Sequence, residues 1–162
     1  MKYYSTNGKA PYASLKEAVT RSLAPDRGLY VPEQIKNVPD SFTENIQYMT
    51  FQEIALEVAK TFFGDDIPET DLKGIVYDTL SFDCPIVKVS DNIWSLELYH
   101  GPTLAFKDVG ARFMARMLAY FTKQETGTIN VLVATSGDTG SAVANGFLGI
   151  DGIHVYVLYP KD

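Results

Sequence analysis

Lys107 is the residue of this sequence best placed for nucleophilic chemistry. It follows an apolar run, Leu104 to Phe106, and lies in the first turn of a helix predicted from about Phe106 to Thr122. The positive end of a helix disfavours an ammonium group, and apolar neighbours would limit its hydration. Both effects favour the neutral amine, which is the form that attacks a carbonyl carbon. Taken alone, a surface lysine paired with an acid such as Asp108 is the commoner case.

A glycine-rich turn opens the next predicted helix, with the sequence Thr135-Ser136-Gly137-Asp138-Thr139-Gly140. Gly137 and Gly140 would let the backbone approach a ligand closely, and N–H groups at a helix start bind anions. Ser136 and Thr139 add hydroxyl donors. A capped turn without a ligand explains the same residues equally well. The turn has neither the GK[ST] of a phosphate-binding loop nor the G-x-G-x-x-G of a dinucleotide site, so a nucleotide-binding α/β module is a weak alternative.

Both segments lie between a predicted strand and the helix that follows it. In open α/β sheets, ligands gather at the carboxyl ends of the strands. The continuously apolar run Ile129 to Ala134 is typical of a parallel strand covered on both faces. The alternation of strand and helix predicts the first part of an open, mostly parallel α/β sheet. Such a sheet usually has more strands, so we expect this one to be cut short, and a compact small sheet is the alternative. The strands are predicted at Pro85–Val89, Ile93–Tyr99, Ile129–Ala134 and Ile153–Leu158.

Helical patterns dominate the first half of the chain. Two capping boxes, Ser14 to Glu17 and Thr50 to Glu53, predict helix starts. A third helix is predicted from about Glu69, and prolines interrupt the stretch between the first two helices. The pattern changes near residue 82. We therefore predict a helical domain over 1–81 and a partial catalytic α/β domain over 82–162.

Apolar residues spaced at three and four fall on one face of each predicted helix, and in the helix after Phe106 they mark the buried face. After Thr50 the stripe comprises Phe51, Ile54, Ala55, Val58 and Phe62, and after Glu69 it comprises Leu72, Ile75, Val76 and Leu80. In the helix after Phe106 it comprises Phe106, Val109, Phe113, Met117 and Phe121. The helix that begins near Thr139 carries Val143, Ala144, Phe147 and Leu148, and Gly149 or Gly152 would end it.

Composition narrows the function classes. The chain has 162 residues, of which 46% are hydrophobic and 21% charged, with a net charge of −6. An acidic chain without a basic stripe argues against nucleic acid as a partner. Neither a secretory signal nor an apolar run of membrane-spanning length is present, and the single cysteine, Cys84, forms no internal disulfide, so we expect a cytoplasmic protein. No spacing of metal ligands is visible.

Three segments, in this order and spacing, resemble those of threonine synthases. Residues 97–108, Glu-Leu-Tyr-His-Gly-Pro-Thr-Leu-Ala-Phe-Lys-Asp, resemble the segment that carries the pyridoxal-phosphate (PLP) lysine. Residues 134–142 resemble the substrate-facing loop, and residues 24–32 resemble the start of these enzymes. The resemblance implies the tryptophan-synthase-β-like PLP fold, preceded by a helical amino-terminal domain. Metal ligands are not implied.

The resemblance also implies a reaction, the conversion of O-phospho-L-homoserine and water to L-threonine and phosphate. Lys107 would hold PLP and act as the catalytic base, and Phe106 and Asp138 would contact the cofactor. The substrate would be bound by the loop residues Thr135, Ser136, Gly137, Thr139 and Gly140. Threonine dehydratase, cysteine synthase and a catalytically silent relative remain alternatives. In the family the loop that binds the PLP phosphate comes later, so we expect these residues alone to be inactive. The oligomeric state is left open.

Overall fold

The computed structural model describes residues 1–123, 127–135, 137–158 and 160. The chain divides into two compact units, Met1–Asp78 and Thr79–Asp162. The strands form three two-stranded sheets, so the molecule is a mixed α/β structure. That 1–81 and 82–162 are separate domains stays a prediction.

The first unit contains mostly helices and one small antiparallel sheet. Strands β1 and β2 pair with Tyr3 opposite Pro32. Neither strand was predicted, because three residues are too few for a period-two pattern to be recognised. The elements are β1 (Tyr3–Ser5), α1 (Leu15–Arg21), β2 (Tyr30–Pro32), α2 (Asp40–Asn45), a 3-10 turn (Ile46–Tyr48), α3 (Phe51–Phe63) and α4 (Glu69–Thr79).

The helix starts predicted from capping boxes are confirmed. Ser14 Oγ accepts a hydrogen bond from the Glu17 N–H at 3.2 Å. At Thr50 the box is complete, because the Glu53 carboxylate also accepts from the Thr50 N–H at 2.7 Å. Gly64 caps the end of α3, as predicted. The predicted stripe of the third helix is buried at all four positions, Leu72, Ile75, Val76 and Leu80.

The predicted apolar face of α3 is only partly buried. Phe51 and Val58 are 41% and 42% exposed, whereas Leu56 and Ala59 are buried. Leu56 and Ala59 are themselves three apart, so they form a second apolar row on the same helix. Periodicity identifies an amphipathic helix, but it cannot choose between two apolar rows of similar length.

The Asp26 carboxylate organises the turn between α1 and β2. It accepts hydrogen bonds from the Ser5 hydroxyl at 2.6 Å and from the N–H groups of Lys9, Ala10 and Gly28 at 2.9, 3.0 and 3.1 Å. The Ser5 hydroxyl, followed by these N–H groups, lowers the pKa of Asp26 from 3.8 to about 2. Gly28 cannot carry a side chain here, since a Cβ would lie 2.0 Å from Ser5 Oγ.

The second unit begins with two of the predicted strands, which pair as a hairpin. From the second of these strands it continues as strand–helix–strand–helix–strand. Strands β3 and β4 are antiparallel, and β5 and β6 are parallel with Ile129 opposite Ile153. The alternation predicted from the sequence is confirmed, and α6 ends at Gly146, before both predicted glycines. The elements are β3 (Ile86–Ser90), β4 (Ile93–Leu96), α5 (Lys107–Thr122), β5 (Ile129–Val133), α6 (Asp138–Gly146) and β6 (Ile153–Val157).

Of two expectations about burial in this unit, one is wrong and the other is confirmed only in part. Strand β5 is not covered on both faces, because Leu132 is 67% exposed while Val133 is buried. The predicted stripe of α5 is only partly buried, since Phe106 is 60% exposed. Met117 of that stripe is buried, and so is a second row formed by Ala111, Ala115 and Leu118. Small residues are weak hydrophobic signals in a sequence, yet they allow two helix backbones to approach closely.

That close approach joins α5 to α6. A Cβ on Gly146 would lie 3.1 Å from the carbonyl carbon and oxygen of Ala111. The Arg116 guanidinium donates a hydrogen bond to the Gly146 carbonyl at 2.6 Å, which satisfies a carbonyl at the end of α6. The helices that follow the two candidate segments are therefore packed against each other.

We predict that the substitution Asp26→Asn removes part of the acid dependence of stability. The folded pKa of Asp26 lies below 3.8, so its stabilisation is present above about pH 4 and is lost as the pH falls toward about 2. Asp26→Asn should therefore lower the urea midpoint at pH 7, and the difference from wild type should shrink near pH 2. Glu44→Gln, at an exposed position, is the control. Parallel urea-midpoint profiles for wild type and Asp26→Asn would contradict this account.

Candidate functional site

The loop before Lys107 is a tight turn closed by backbone hydrogen bonds. The Leu104 N–H donates to the Gly101 carbonyl at 3.0 Å, and the Asp108 N–H donates to the Ala105 carbonyl at 3.0 Å. Leu104 has φ 58°. This value lies in the left-handed region, which residues other than Gly, Asn and Asp rarely adopt. The chain therefore enters α5 through a conformation that the surrounding contacts must hold.

Lys107 is the first residue of α5 and is half-buried. Its Nζ lies 5.6 Å from the centroid of the Phe106 ring. Of the three apolar residues expected to limit its hydration, only Ala105 is buried, while Leu104 is 75% exposed and Phe106 is 60% exposed. The position in the first helical turn is as predicted, and the neutral amine stays a prediction.

Asp108 does not extend into solvent beside the lysine. It is completely buried, and its Oδ1 and Oδ2 accept from the Thr103 hydroxyl at 2.6 Å and the Thr103 N–H at 2.9 Å. A solvated pair of Lys107 with Asp108, the alternative raised from the sequence, does not fit this burial. The sequence signal for the real partner was a threonine five residues before the acid, which is too common a spacing to be informative.

The second candidate segment leads into α6. Gly137 is its N-cap residue, and the Gly137 carbonyl accepts from the Ser141 N–H at 3.2 Å. The Gly137 N–H donates to the Thr135 hydroxyl at 3.4 Å. Asp138 and Thr139 lie exposed in the first helical turn, where backbone N–H groups have no partner within the helix. Ser136, predicted to bind substrate, lies outside the described residues.

The two glycines of this turn differ in their surroundings. A Cβ on Gly140 would lie 2.2 Å from the Thr135 carbonyl oxygen, so the absent side chain admits the backbone of the same turn. A Cβ on Gly137 would have nothing within 4 Å. Gly140 thus has a structural reason to be glycine, and open space suitable for a ligand lies at Gly137.

A cluster that the sequence analysis did not single out follows β4. The His100 Nε2 and the Glu97 Oε2 are 2.7 Å apart, and the rings of Tyr99 and His100 lie 4.8 Å apart. Hydrogen bonds from His100 and then Tyr99 lower the pKa of Glu97. The hydrogen bond to Glu97 raises the pKa of Tyr99. The spacing of three between Glu97 and His100 was the signal available in the sequence.

Both candidate segments thus lie at starts of helices that pack against each other. That Lys107 and the turn at Gly137 to Thr139 reach one ligand stays a prediction, as do the roles of Phe106, Asp138 and Gly140. Within the described ranges, no group of three His, Cys, Asp or Glu side chains is placed to hold a metal ion. In the same part of the chain, no helix combines the length and apolar character needed to cross a bilayer.

Comparisons with known proteins agree with one another. A family model described as "Threonine synthase N terminus" matches residues 2–80. The curated threonine synthase of Serratia marcescens is 38% identical over 161 residues, and that of Escherichia coli K12 is 37% identical over 161 residues. Each alignment covers 99% of this chain and 37% of the relative. The chain therefore spans little more than a third of the length of these relatives.

Solved structures give the same result. The structure of PLP-bound threonine synthase from Brucella melitensis superposes with a TM-score of 0.92 at 37% identity, covering 99% of this chain and 36% of that one. Threonine synthase from Escherichia coli superposes with a TM-score of 0.89 at 36% identity, covering 99% and 37%. The mixed α/β fold described above is thus shared with these structures over nearly the whole chain.

The contrast between the two glycines gives a second prediction. Gly140→Ala should destabilise the protein by about 1–3 kcal/mol, because its Cβ would overlap the Thr135 carbonyl oxygen. Gly137→Ala is the matched comparison, since a Cβ there has open space and the backbone φ is −94°. Its loss of stability should be the smaller one, limited to the poorer N-capping by alanine. Thermal denaturation of both variants measures the difference. Equal melting temperatures for Gly140→Ala and wild type would show that this turn is looser than described.

Proposed function

This chain corresponds in sequence and fold to the amino-terminal portion of threonine synthases, and from that premise we propose that the protein is a PLP-dependent threonine synthase. The reaction is the conversion of O-phospho-L-homoserine and water to L-threonine and phosphate, a carbon–oxygen lyase reaction acting on a phosphate ester. The observation that carries the proposal is the position of Lys107. It is half-buried in the first turn of α5 and follows a loop closed by backbone hydrogen bonds.

The residues present fit one end of the cofactor, the aldehyde. A lysine amine is the group that condenses with an aldehyde, and Lys107 is held at the end of a structured loop. The exposed Phe106 beside it offers an aromatic face for a flat ring. When bound, PLP supplies an electron sink for negative charge that develops on the substrate carbon skeleton.

Lys107 has two tasks in this proposal. Its Nζ would hold the cofactor, and once free of it the same amine would serve as the base. The released amine lies next to the bound substrate, where it removes the proton from Cα and moves protons at Cβ. A positioned amine of this kind acts as a general base and then as a general acid. Phosphate would leave from Cγ, Cγ would then be protonated to a methyl group, water would add at Cβ, and protonation at Cα would give threonine.

The turn that opens α6 binds the anionic groups of the substrate. O-phospho-L-homoserine carries a carboxylate and a phosphate, and helix starts favour negative charge. Gly137 leaves open space at this start, and the Thr139 hydroxyl is exposed beside it. We assign substrate binding to Thr135, Gly137, Thr139 and Gly140, with Ser136 as a further hydroxyl donor. For Gly140 the contribution is the shape of the turn.

Asp138 differs from the asparagine that cysteine synthases have at the matching position. Its carboxylate is exposed at the start of α6, where the helix dipole stabilises a negative charge. Contact with the anionic oxygen of the PLP ring would require a proton or a cation between them. We therefore assign Asp138 to the rim of the cofactor site, where its contact with the ring oxygen would pass through a proton or a cation.

We place this enzyme in the cytoplasm and assign it a small-molecule substrate. Cys84 is half-buried, and burial, followed by the charge of Asp83, raises the pKa of its thiol. A thiol in this environment is poorly reactive, which suits a structural cysteine in a reducing compartment. We assign the contacts to the phosphate and the ring nitrogen of PLP to residues outside the 162 of this sequence.

We predict that Lys107→Ala abolishes covalent attachment of the cofactor in the full-length protein. Borohydride reduction in the presence of PLP, followed by peptide mass spectrometry, should place the adduct on Lys107 in wild type and on no residue in the variant. Release of phosphate from O-phospho-L-homoserine should fall by about a thousandfold or more, because both the attachment and the base are lost.

Lys123→Ala, at the other end of α5, is the matched control and should retain the adduct and the activity. Wild-type turnover of threonine or O-acetylserine in preference to O-phospho-L-homoserine would instead indicate a threonine dehydratase or a cysteine synthase. An adduct on a lysine other than Lys107 would contradict the assignment.

A further inference from the structure

We propose that Asp108 and Thr103 form a clamp that fixes the direction of the Lys107 side chain. In this role both are positioning residues that act through Lys107, and the inference rests on the proposed function. Asp108 is chemically suited to catalysis, yet it is completely buried and both of its carboxylate oxygens are engaged by Thr103. It therefore acts on the loop instead of on a ligand.

The clamp closes the chain back on itself over five residues. One oxygen accepts from the Thr103 N–H at 2.9 Å, and the other accepts from the Thr103 hydroxyl at 2.6 Å. Gly101 packs directly on this carboxylate, since a Cβ there would lie 2.5 Å from Asp108 Oδ2. Both carboxylate oxygens have a hydrogen-bond partner, as a buried carboxylate requires.

No side-chain cap stabilises the start of α5. The N-cap residue of α5, Phe106, makes no capping hydrogen bond through its side chain. An uncapped first turn is prone to fraying, and Lys107 lies in that turn. Because a peptide bond joins Lys107 to Asp108, anchoring the second residue of the helix restricts the backbone of the first. Consecutive helical side chains diverge by about 100°, so a buried Asp108 directs Lys107 away from the loop interior.

Leu104 indicates how much the clamp must hold. Its φ of 58° is strained for a leucine, and its side chain is 75% exposed, so its own burial offsets little of that strain. Leu104 lies inside the stretch that Thr103 and Asp108 close. Strained backbone persists where surrounding contacts determine it, and here these are the clamp and the two backbone hydrogen bonds.

The test uses the full-length protein and two conservative substitutions at Thr103. Thr103→Val removes the hydroxyl and keeps the N–H, whereas Thr103→Ser keeps both donors. At a fixed PLP concentration below saturation, the rate of covalent attachment to Lys107 is measured by borohydride trapping and mass spectrometry. Thr103→Val should slow attachment by about tenfold to a hundredfold, since small misplacements of a reacting group have effects of that size. Thr103→Ser should remain close to wild type.

Asp108→Asn provides a second, independent variant. The amide oxygen can accept from the Thr103 N–H, and the amide nitrogen can donate to the Thr103 oxygen, so the clamp is retained with one bond reversed. Attachment should therefore stay within a few-fold of wild type in Asp108→Asn and fall in Asp108→Ala. Met117→Ala is the stability control, because this buried residue of α5 lies ten residues, or about 15 Å, beyond Lys107.

The outcomes separate the two claims. Slow attachment in Thr103→Val and Asp108→Ala, with near-normal rates in Thr103→Ser, Asp108→Asn and Met117→Ala, supports the clamp. Normal attachment in Thr103→Val overturns it while the proposed function stands. Equal losses in Thr103→Val and Met117→Ala also overturn it, because the effect is then one of stability alone. No adduct on Lys107 in wild type overturns the proposed function together with the clamp.

Discussion

The buried Asp108 carboxylate accepts two hydrogen bonds from Thr103, and this contact determines the geometry around the candidate catalytic lysine. Asp108 is completely buried, and Thr103 satisfies both of its oxygens. Gly101 must lack a side chain, Leu104 must adopt a left-handed conformation, and α5 must begin at Lys107, all within eight residues that surround this contact. The contact of Gly146 with Ala111 then fixes α6 against the same helix. A few close contacts thus position both candidate segments.

Much of the fold could be predicted from the sequence because its signals are local. Capping boxes marked the starts of α1 and α3, and the β-branched run of β5 indicated a parallel strand, which pairs with β6. What failed depends on contacts between distant residues. The strands β1 and β2 are too short to show a pattern, and the buried row of α5 is formed partly by alanines, whose burial follows from the close approach of α6.

The candidate site was predictable in its residue types but not in its construction. Lys107 and the turn at Gly137 were recognised by their positions before helices and by their resemblance to threonine synthase segments. The hydrogen bonds between Asp108 and Thr103 were not predictable, because an acidic residue next to a lysine is equally consistent with a surface ion pair. Gly140 was assigned to ligand approach, yet its space is taken by the Thr135 carbonyl oxygen. Such distinctions depend on atomic distances that spacing does not encode.

The central claim is that Lys107 is the residue that holds the cofactor, with its direction set by the loop before it. A crystal structure of the full-length protein grown with PLP tests this most directly. We expect continuous electron density between the Lys107 Nζ and the aldehyde carbon of the cofactor, with Asp108 still bonded to Thr103. Density that joins the cofactor to a different lysine, or a Lys107 side chain directed into solvent away from a bound cofactor, would contradict the account.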